Sequence, residues 1–550
     1  MLNRKSSFFP CLKALFLGFT LLSGCAVQQK PQGGPRDLTA PKLLKATPLD
    51  QTRNFKGKKI ELEFDEYFKL VNQYQEISIS PAQERSPEYT AKQKTLVIEL
   101  KDSLQKNTTY VISFGKAIVD VNEGNAVKNL TYVFATGSSI DSLTISGKVT
   151  NVLTQQIEKE VPVMLFNLKQ DSLLFGKKRP TLFTITDTAG NFKFSNLKPD
   201  TYRIYALKET SADKIYNNDN ELIAFKANPL ALKKDTAGIN LTLFKEVPDN
   251  LRFNNRAFDK DGGMLLATNR PLTRPSVKII FPEALDAQKL VETNKVGDSI
   301  YVYSKNMDFD SVKVAISENA VAFDTLTLRK SRRETFQRTI SLAYSAGGNG
   351  VIKPGTELIV TANTPIESFD QKLITLMEDS ASVNYNLLRD TSTRKKLRIK
   401  YNWKPKAKYT IIFNDNALTG LWGDKSKKQQ KAFSLDNAEN YSEFTLRLAV
   451  PDTGRSYVVE LLTSNGDQKN VIRTNRITRN TAIVYKMLLA GKYQLRVIYD
   501  ANKNGKWDAG SIYRKTQPEN IWANQTIYTI RPNWSDEQAI QIPPEQVTSP

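Results

Sequence analysis

At 550 residues the chain is too long for one hydrophobic core, and at roughly 100 to 150 residues per domain it predicts about four to five folding units. With 40% hydrophobic and 25% charged residues, wholesale disorder is excluded, and short runs rich in Val, Ile, Thr, Tyr and Phe favour strands. Histidine is absent and the only cysteines are Cys11 and Cys25, so no Ser-His-Asp or Cys-His device and no imidazole or thiolate metal site can form.

The amino terminus reads as a processed leader. Asn3-Arg4-Lys5 is a positive opening, and Ala14 to Leu22 is an apolar core of nine residues, half of what a bilayer-spanning helix needs. It runs into Leu22-Ser23-Gly24-Cys25, which resembles the lipobox of bacterial lipoproteins at all four positions. The resemblance implies a signal peptide over 1–24, cleavage before Cys25, and acylation of the Cys25 thiol and of the new amine. Two or three acyl chains anchor a protein stably, at about 0.8 kcal/mol per buried methylene. Residues 25–36, rich in Gly, Pro and Gln, suit a lipidated tether. Ala26 stands where inner-membrane retention uses Asp, so the resemblance implies the outer membrane, and no acidic cluster follows Cys25, which favours the periplasmic face over the cell surface. Loss of Arg4, Lys5 and Lys13 with the leader takes the net charge from +21 to +18. The basic residues are scattered through strand patterns and build no nucleic-acid-binding arm; they predict solvated faces and attraction to anionic lipid or polysaccharide.

Beyond the tether the expected class is all-β, with tandem sandwiches. Over 37–138, Lys59-Ile60-Glu61-Leu62-Glu63-Phe64 alternates as a half-buried strand does, followed by the runs at 95–100, 109–114 and 132–136. The opening Ala40-Pro41 and Thr47-Pro48, the Phe64-Asp65-Glu66 strand end, the 120–125 turn and Phe134-Ala135-Thr136-Gly137 together resemble the bacterial Ig-like domain of surface-layer proteins, which implies a Greek-key β-sandwich. Over 141–247, Val161-Pro162-Val163-Met164-Leu165-Phe166, the Asp187-Thr188-Ala189-Gly190-Asn191 turn and Leu197-Lys198-Pro199-Asp200-Thr201-Tyr202 resemble the transthyretin-like, carboxypeptidase-regulatory-type sandwich, a module without peptidase residues. Two further segments, 248–347 and 348–437, echo the first as degenerate Ig-like units, with Ser345 to Gly350 the clearest linker, and 438–550 is a last β-sandwich. The expectation is an extended row of sandwiches.

One loop carries chemistry. Asp500, Asn502, Asn504, Lys506 and Asp508 stand at alternate positions around Gly505, as in a loop that wraps a hard cation, but position twelve is Ser511 where the EF-hand has a bidentate Glu. Two readings stand together: a weak Ca²⁺ site, or an Asx-rich turn whose side chains satisfy its own backbone. Asp65, Glu66 and Asp370 could be imagined as carboxylates of a hydrolase, Lys330-Ser331-Arg332-Arg333 as a phosphate contact, and Trp403, Trp422, Trp507, Trp522 and Trp534 as sugar platforms; strand ends, a solvated turn and core packing are the plainer readings. The expected function is a lipid-anchored, non-enzymatic scaffold or binding module of the envelope, with a protein or polysaccharide partner. The alternatives are a carbohydrate-binding or adhesive surface lipoprotein and, last, a carboxylate-only hydrolase.

Overall fold

Strand Lys59–Phe64 shows how this sequence makes sheets: Ile60, Leu62 and Phe64 are fully buried while the intervening charged residues face outward. Each buried side chain contributes about 1.5 to 3 kcal/mol over leaving it in water. The same logic runs through a computed structural model that describes residues 37–128, 130–180, 182–331, 335–464 and 469–545. Those residues are almost all strand and turn; the longest α-helix among them is Leu168–Leu174. The chain divides into two compact units, Met1–Ser142 and Leu143–Pro550.

In the first unit, Leu43–Thr47, Lys59–Phe64, Thr95–Glu99 and Glu88–Lys92 form an antiparallel sheet in that spatial order. It faces a second sheet of Ser78–Ser80, Thr109–Ser113 and Thr131–Ala135 across a core that includes Ile60, Leu62, Phe64, Leu96, Ile98, Tyr110, Ile112 and Phe134. The two-stranded ribbon Phe68–Leu70 with Ile118–Asp120 leads into a tight turn. There the buried Asp120 carboxylate accepts from the amides of Glu123, Gly124 and Asn125 at 2.7, 2.8 and 3.0 Å.

The sheets of the second unit fall into four consecutive groups, each with its own buried cluster. Two of these repeat the pairing of the first unit. In the group ending near 437, Leu342–Tyr344, Leu358–Ala362, Lys396–Lys400 and Asn386–Arg389 pair in the order seen for Leu43–Thr47 to Glu88–Lys92, and Ile374–Glu378, Lys408–Phe413 and Gln429–Leu435 pair as the second sheet does. Both groups share a tyrosine corner: the Tyr110 hydroxyl accepts from the Gln105 amide at 2.9 Å, and the Tyr409 hydroxyl from the Lys404 amide at 2.7 Å. The intervening group, Phe253–Phe258 to Val321–Arg329, keeps the two sheets alone.

The remaining two groups share a second pattern. The eight strands from Leu143–Asn151 to Thr236–Lys245 pair first with fourth, first with last in parallel, second with third and fifth, and fifth with sixth and seventh. The eight strands from Tyr441–Ala449 to Ser535–Gln541 repeat every one of these pairings. On the fifth strand of each, a tyrosine hydroxyl donates to the carbonyl four residues back, Tyr202 to Lys198 at 3.1 Å and Tyr493 to Leu489 at 2.5 Å.

One expectation is corrected. The glycine-rich stretch at 345–350 is not a linker between sandwiches, because Leu342–Tyr344 already pairs with Leu358–Ala362 and Ile340 and Ala346 are buried in the same core. The glycines make a turn inside the fourth sandwich, in which Val351 N donates to Ala346 O at 3.1 Å. Glycine punctuates turns wherever the chain reverses, at a domain boundary or within a domain.

Gly147 marks the closest backbone approach. It lies between Ile239 on one side and Phe192 on the other, and a Cβ there would sit 1.8 Å from the Ile239 carbonyl oxygen. The first is paired backbone and the second a ring buried in the core, so neither yields readily. Gly147→Ala is expected to destabilise this sandwich by at least about 2 kcal/mol, read as faster amide exchange across 143–247 with exchange in 37–142 unchanged.

Candidate functional site

The loop that follows strand Gly491–Asp500 begins on a buried carboxylate. Asp500, 1% exposed, accepts from Asn504 N at 2.9 Å, Gly505 N at 3.0 Å and Ser456 Oγ at 2.7 Å, and Gly505 takes the positive φ the turn requires. Asn502 Oδ1 accepts from Asn504 N and Asn504 Oδ1 from Lys506 N, while both amide groups donate to Asp508 Oδ2, at 2.6 and 2.7 Å. The Arg476 guanidinium lies 3.7 Å from the second Asp500 oxygen. The five residues singled out in the sequence share this loop: the side-chain oxygens of Asp500, Asn502, Asn504 and Asp508 hold the loop's own backbone and amides, and Lys506 takes part through its backbone N–H, the Asx-turn arrangement. A cation there would have to displace those bonds. The counterpart in the second sandwich is Glu209, seven residues beyond Tyr202 as Asp500 is beyond Tyr493; it accepts from Lys214 N at 2.7 Å, and burial raises its carboxyl above the ordinary value.

Beyond the turn the chain folds out as an arm. Glu519 braces it by accepting from Ala501 N at 2.7 Å and Asp508 N at 3.0 Å, burial holding its carboxyl above the usual range, and Trp507 Nε1 donates to Glu519 O. Ser511 and Thr516 bridge a short hairpin whose tip is Tyr513 and Arg514. Ile512, on that hairpin, is 1% exposed and packs with Met164, Phe166, Tyr205, Leu207, Ile223 and Phe225 of the second sandwich.

Those partners lie on the outer face of a sheet whose inner face, Val163, Leu165, Ile204, Ala206 and Ala224, already forms a core. A sheet buried on both faces requires consecutive apolar residues instead of alternation. Met164-Leu165-Phe166, Tyr205-Ala206-Leu207 and Ile223-Ala224-Phe225 meet that requirement. This signal was legible in the sequence, and it announces a covering partner without identifying it.

Polar contacts fix the register of the arm. Lys515 Nζ donates to the Tyr205 hydroxyl at 3.0 Å and stands 5.2 Å over the Tyr205 ring and 5.9 Å from those of Phe175 and Phe225. Tyr205 in turn donates to Asp171 Oδ1 at 2.5 Å, and burial, then the Asp171 charge, drives its phenol well above the ordinary value. Burial pulls the Lys515 ammonium down, against the pull of Asp171. Ile512 N donates to Glu246 Oε1 at 3.1 Å, Gln517 Nε2 to Phe225 O at 2.9 Å, and Arg496 of the last sandwich to Leu153 O at 2.9 Å. The exposed Arg514–Asp249 pair contributes at most about 1 kcal/mol, against about 1.5 to 3 kcal/mol for burying Ile512. Apolar cover therefore dominates, and the ion pairs orient. The expected extended row is corrected within the second unit, where the last sandwich clasps the second.

Neighbouring sandwiches are also joined. Asp219 takes Arg252 at 2.5 Å and Asn269 Nδ2 at 3.2 Å between the second and third. Between the third and fourth, Trp422 Nε1 donates to Ser304 O at 2.9 Å, Asn363 Nδ2 to Asp261 Oδ2 at 3.1 Å, and Lys395 Nζ sits 4.8 Å over Tyr303.

The other candidates resolve into structure. Asp65 caps the Lys42 amide at 2.8 Å, and Asp370 caps Lys372 N at 3.0 Å at the start of a 3-10 turn. Burial, then the Asp65 charge, raises the Glu66 carboxyl above its ordinary value. Lys330 Nζ donates to Met307 O; Arg332 and Arg333 lie outside the described residues. Trp403, Trp422, Trp507 and Trp522 pack against cores, and Trp534, 57% exposed, carries Arg531 5.1 Å from its ring. Leu22, Ser23, Gly24 and Cys25 lie outside the described residues. Among the described residues no helix is long and apolar enough to cross a membrane.

Among known families, residues 37–136 match the model of the bacterial Ig-like domain. No curated protein matches the chain. Among solved structures, the chain is similar to the major pilin subunit BcpA of Bacillus cereus at 10% identity, covering 73% of this chain and 99% of that one with a TM-score of 0.14. It is similar to the S-layer protein SbsC at 13% identity, covering 83% and 65% with a TM-score of 0.15, and to titin domains A168–A170 at 13%, covering 51% and 97% with a TM-score of 0.15. Likenesses this loose transfer no function.

Two outcomes follow from the arm. Asp500→Ala removes the buried carboxylate that accepts from Asn504 N, Gly505 N and Ser456 Oγ, and is expected to cost about 1 to 3 kcal/mol, with melting curves that coincide in chelator and in millimolar Ca²⁺; a Ca²⁺-dependent rise in the unsubstituted protein would restore the cation reading. Ile512→Asp places a charge in an apolar seat and is expected to release the hairpin, seen as faster protease cleavage between 509 and 519 while the 37–142 unit stays protected.

Proposed function

We propose that the protein is a lipid-anchored, non-enzymatic scaffold of the bacterial envelope, tethered through Cys25 and the 25–36 segment to the outer membrane and facing the periplasm. The observation that carries the scaffold reading is the clasp: the second unit commits its apolar outer sheet face and its aromatic–lysine contact to holding sandwich against sandwich, while the oxygens of the 500–508 loop are spent on the loop's own backbone and amides. Such an assembly supplies a body of fixed geometry, and exposed loops and sheet edges are left for recognition of a protein or polysaccharide partner. The lipobox at 22–25 supports the anchor, and the match of 37–136 to a bacterial Ig-like domain supports an envelope setting. The mature charge of +18 favours approach to anionic lipid over nucleic acid, for which no recognition element was found in the sequence.

The 143–247 and 441–545 groups are assigned to the transthyretin-like type. The Gly190 turn, in which Asp187 accepts from Ala189 N and Asn191 N at 2.8 Å each, and the Tyr202 corner support that assignment. A non-enzymatic role fits a mature chain without histidine, in which Asp65 and Asp370 cap backbone amides. Cys25→Ser is expected to abolish incorporation of a labelled fatty acid and to move the protein from the membrane to the soluble fraction. Retained label would overturn the anchor, and cleavage of the protein by protease added to intact cells would overturn the periplasmic face.

A further inference from the structure

The second sandwich, the third sandwich and the arm of the last meet around a cleft of about 410 Å³, within the range of small-ligand sites. Four separate stretches of chain supply its wall: Tyr216 and Asp219, the connector from Glu246 to Arg252, Asn269, and Tyr513 from the hairpin tip. The wall is braced from behind. Glu246, 6% exposed, is held by the Tyr216 hydroxyl at 3.0 Å and by Ile512 N, and Asn269 is pinned through Arg252 N at 3.0 Å, Asn250 O at 3.1 Å and Asp219. Tyr513 stands on this rigid support 77% exposed. It lines the cleft together with Glu246 and Asp219, which places it beside the polar wall.

The charges decide what can enter. Asp219 is neutralised by Arg252 at 2.5 Å and Asp249 by Arg514 at 2.5 Å, so the cleft holds no cation free to take a phosphate or uronate, although the chain as a whole is strongly basic. Among the described residues no hydrogen bond engages the side chains of Asn250 or Tyr513, and Asp249 spends one oxygen on Arg514. An aromatic face beside planar carboxylate and amide groups suits a ligand with an apolar C–H face edged by neutral hydroxyls, which are donors and acceptors at once.

We propose that this cleft binds a neutral saccharide, stacked on Tyr513 and hydrogen-bonded through its hydroxyls to Asp249 and Asn250. The site is independent of the anchor: it is present whether or not Cys25 is acylated, and neither failure entails the other. It differs from the tryptophan-platform reading of the sequence, since its aromatic side chains are two tyrosines, Tyr216 of the second sandwich and Tyr513 of the last.

The test is saturation-transfer NMR and calorimetry on the full-length protein with cellotriose, mannotriose and triacetylchitotriose as probes. At least one is expected to bind. Tyr513→Ala should weaken it about tenfold, the usual cost of truncating an aromatic anchor, whereas Tyr513→Phe, which keeps the stacking ring, should stay within about threefold. Because Tyr513 is exposed, the melting temperature of Tyr513→Ala should match that of the unsubstituted protein. Asn250→Ala provides a second probe of the wall and should also weaken binding. No transfer from any of the three sugars, transfer undiminished in Tyr513→Ala, or binding of spermidine in their place would each overturn the assignment.

Discussion

A sheet that is apolar on both faces cannot be left half in water, and this constraint shapes the second unit. The strands Pro162–Asn167, Asp200–Lys208 and Leu222–Phe225 bury one face in their own sandwich and the other beneath Ile512, Trp507 and Ile521 from a segment some three hundred residues later. Leaving that outer face bare would expose Met164, Phe166, Tyr205, Leu207 and Phe225 together, a patch of the kind soluble proteins avoid. The arm therefore serves stability first. Lys515 and Glu246 then set where along the face it settles, because a half-buried cation and a buried carboxylate each favour the seat that satisfies them.

Each sandwich is built to be locally self-consistent before such long-range contacts form. The tyrosine corners at Tyr110, Tyr409, Tyr202 and Tyr493 let a large ring fill the core while its hydroxyl satisfies backbone only four or five residues away. Buried acids work similarly: Asp120 and Asp500 each collect backbone amides within a single turn, so that charge is buried at little net cost. For Asp120 those amide bonds outweigh burial and hold the carboxyl below its ordinary value. Outside the third sandwich, which keeps the sheets alone, the two pairing patterns recur with their corners, so these repeats share a local solution as well as a topology.

Much of this was written in short-range sequence. Alternation over 59–64, the Gly190 turn and the echo of the first segment in 358–376 and 409–435 specify strands, faces and repeated pairing, because a two-residue period and a tight turn are decided by neighbours in the chain. The oxygen-rich 500–508 loop was equally visible, but composition alone left its role open, since the same Asp and Asn spacing serves a cation or a backbone turn. The boundary placed at the 345–350 glycines failed for a related reason: turn residues report a reversal of the chain and not which side of it a core lies on.

What the sequence by itself determined, then, is an all-β chain of repeating sandwiches, and which side chains face inward. Only the tertiary structure decided what covers the outer face of the second sandwich, that the last sandwich reaches back to supply it, and that Tyr216, Asp249, Asn269 and Tyr513 share one cleft. The physical reason is that hydrophobic pattern records that a surface is buried, never against what; the partner is fixed by closing loops over hundreds of residues, which no local period encodes.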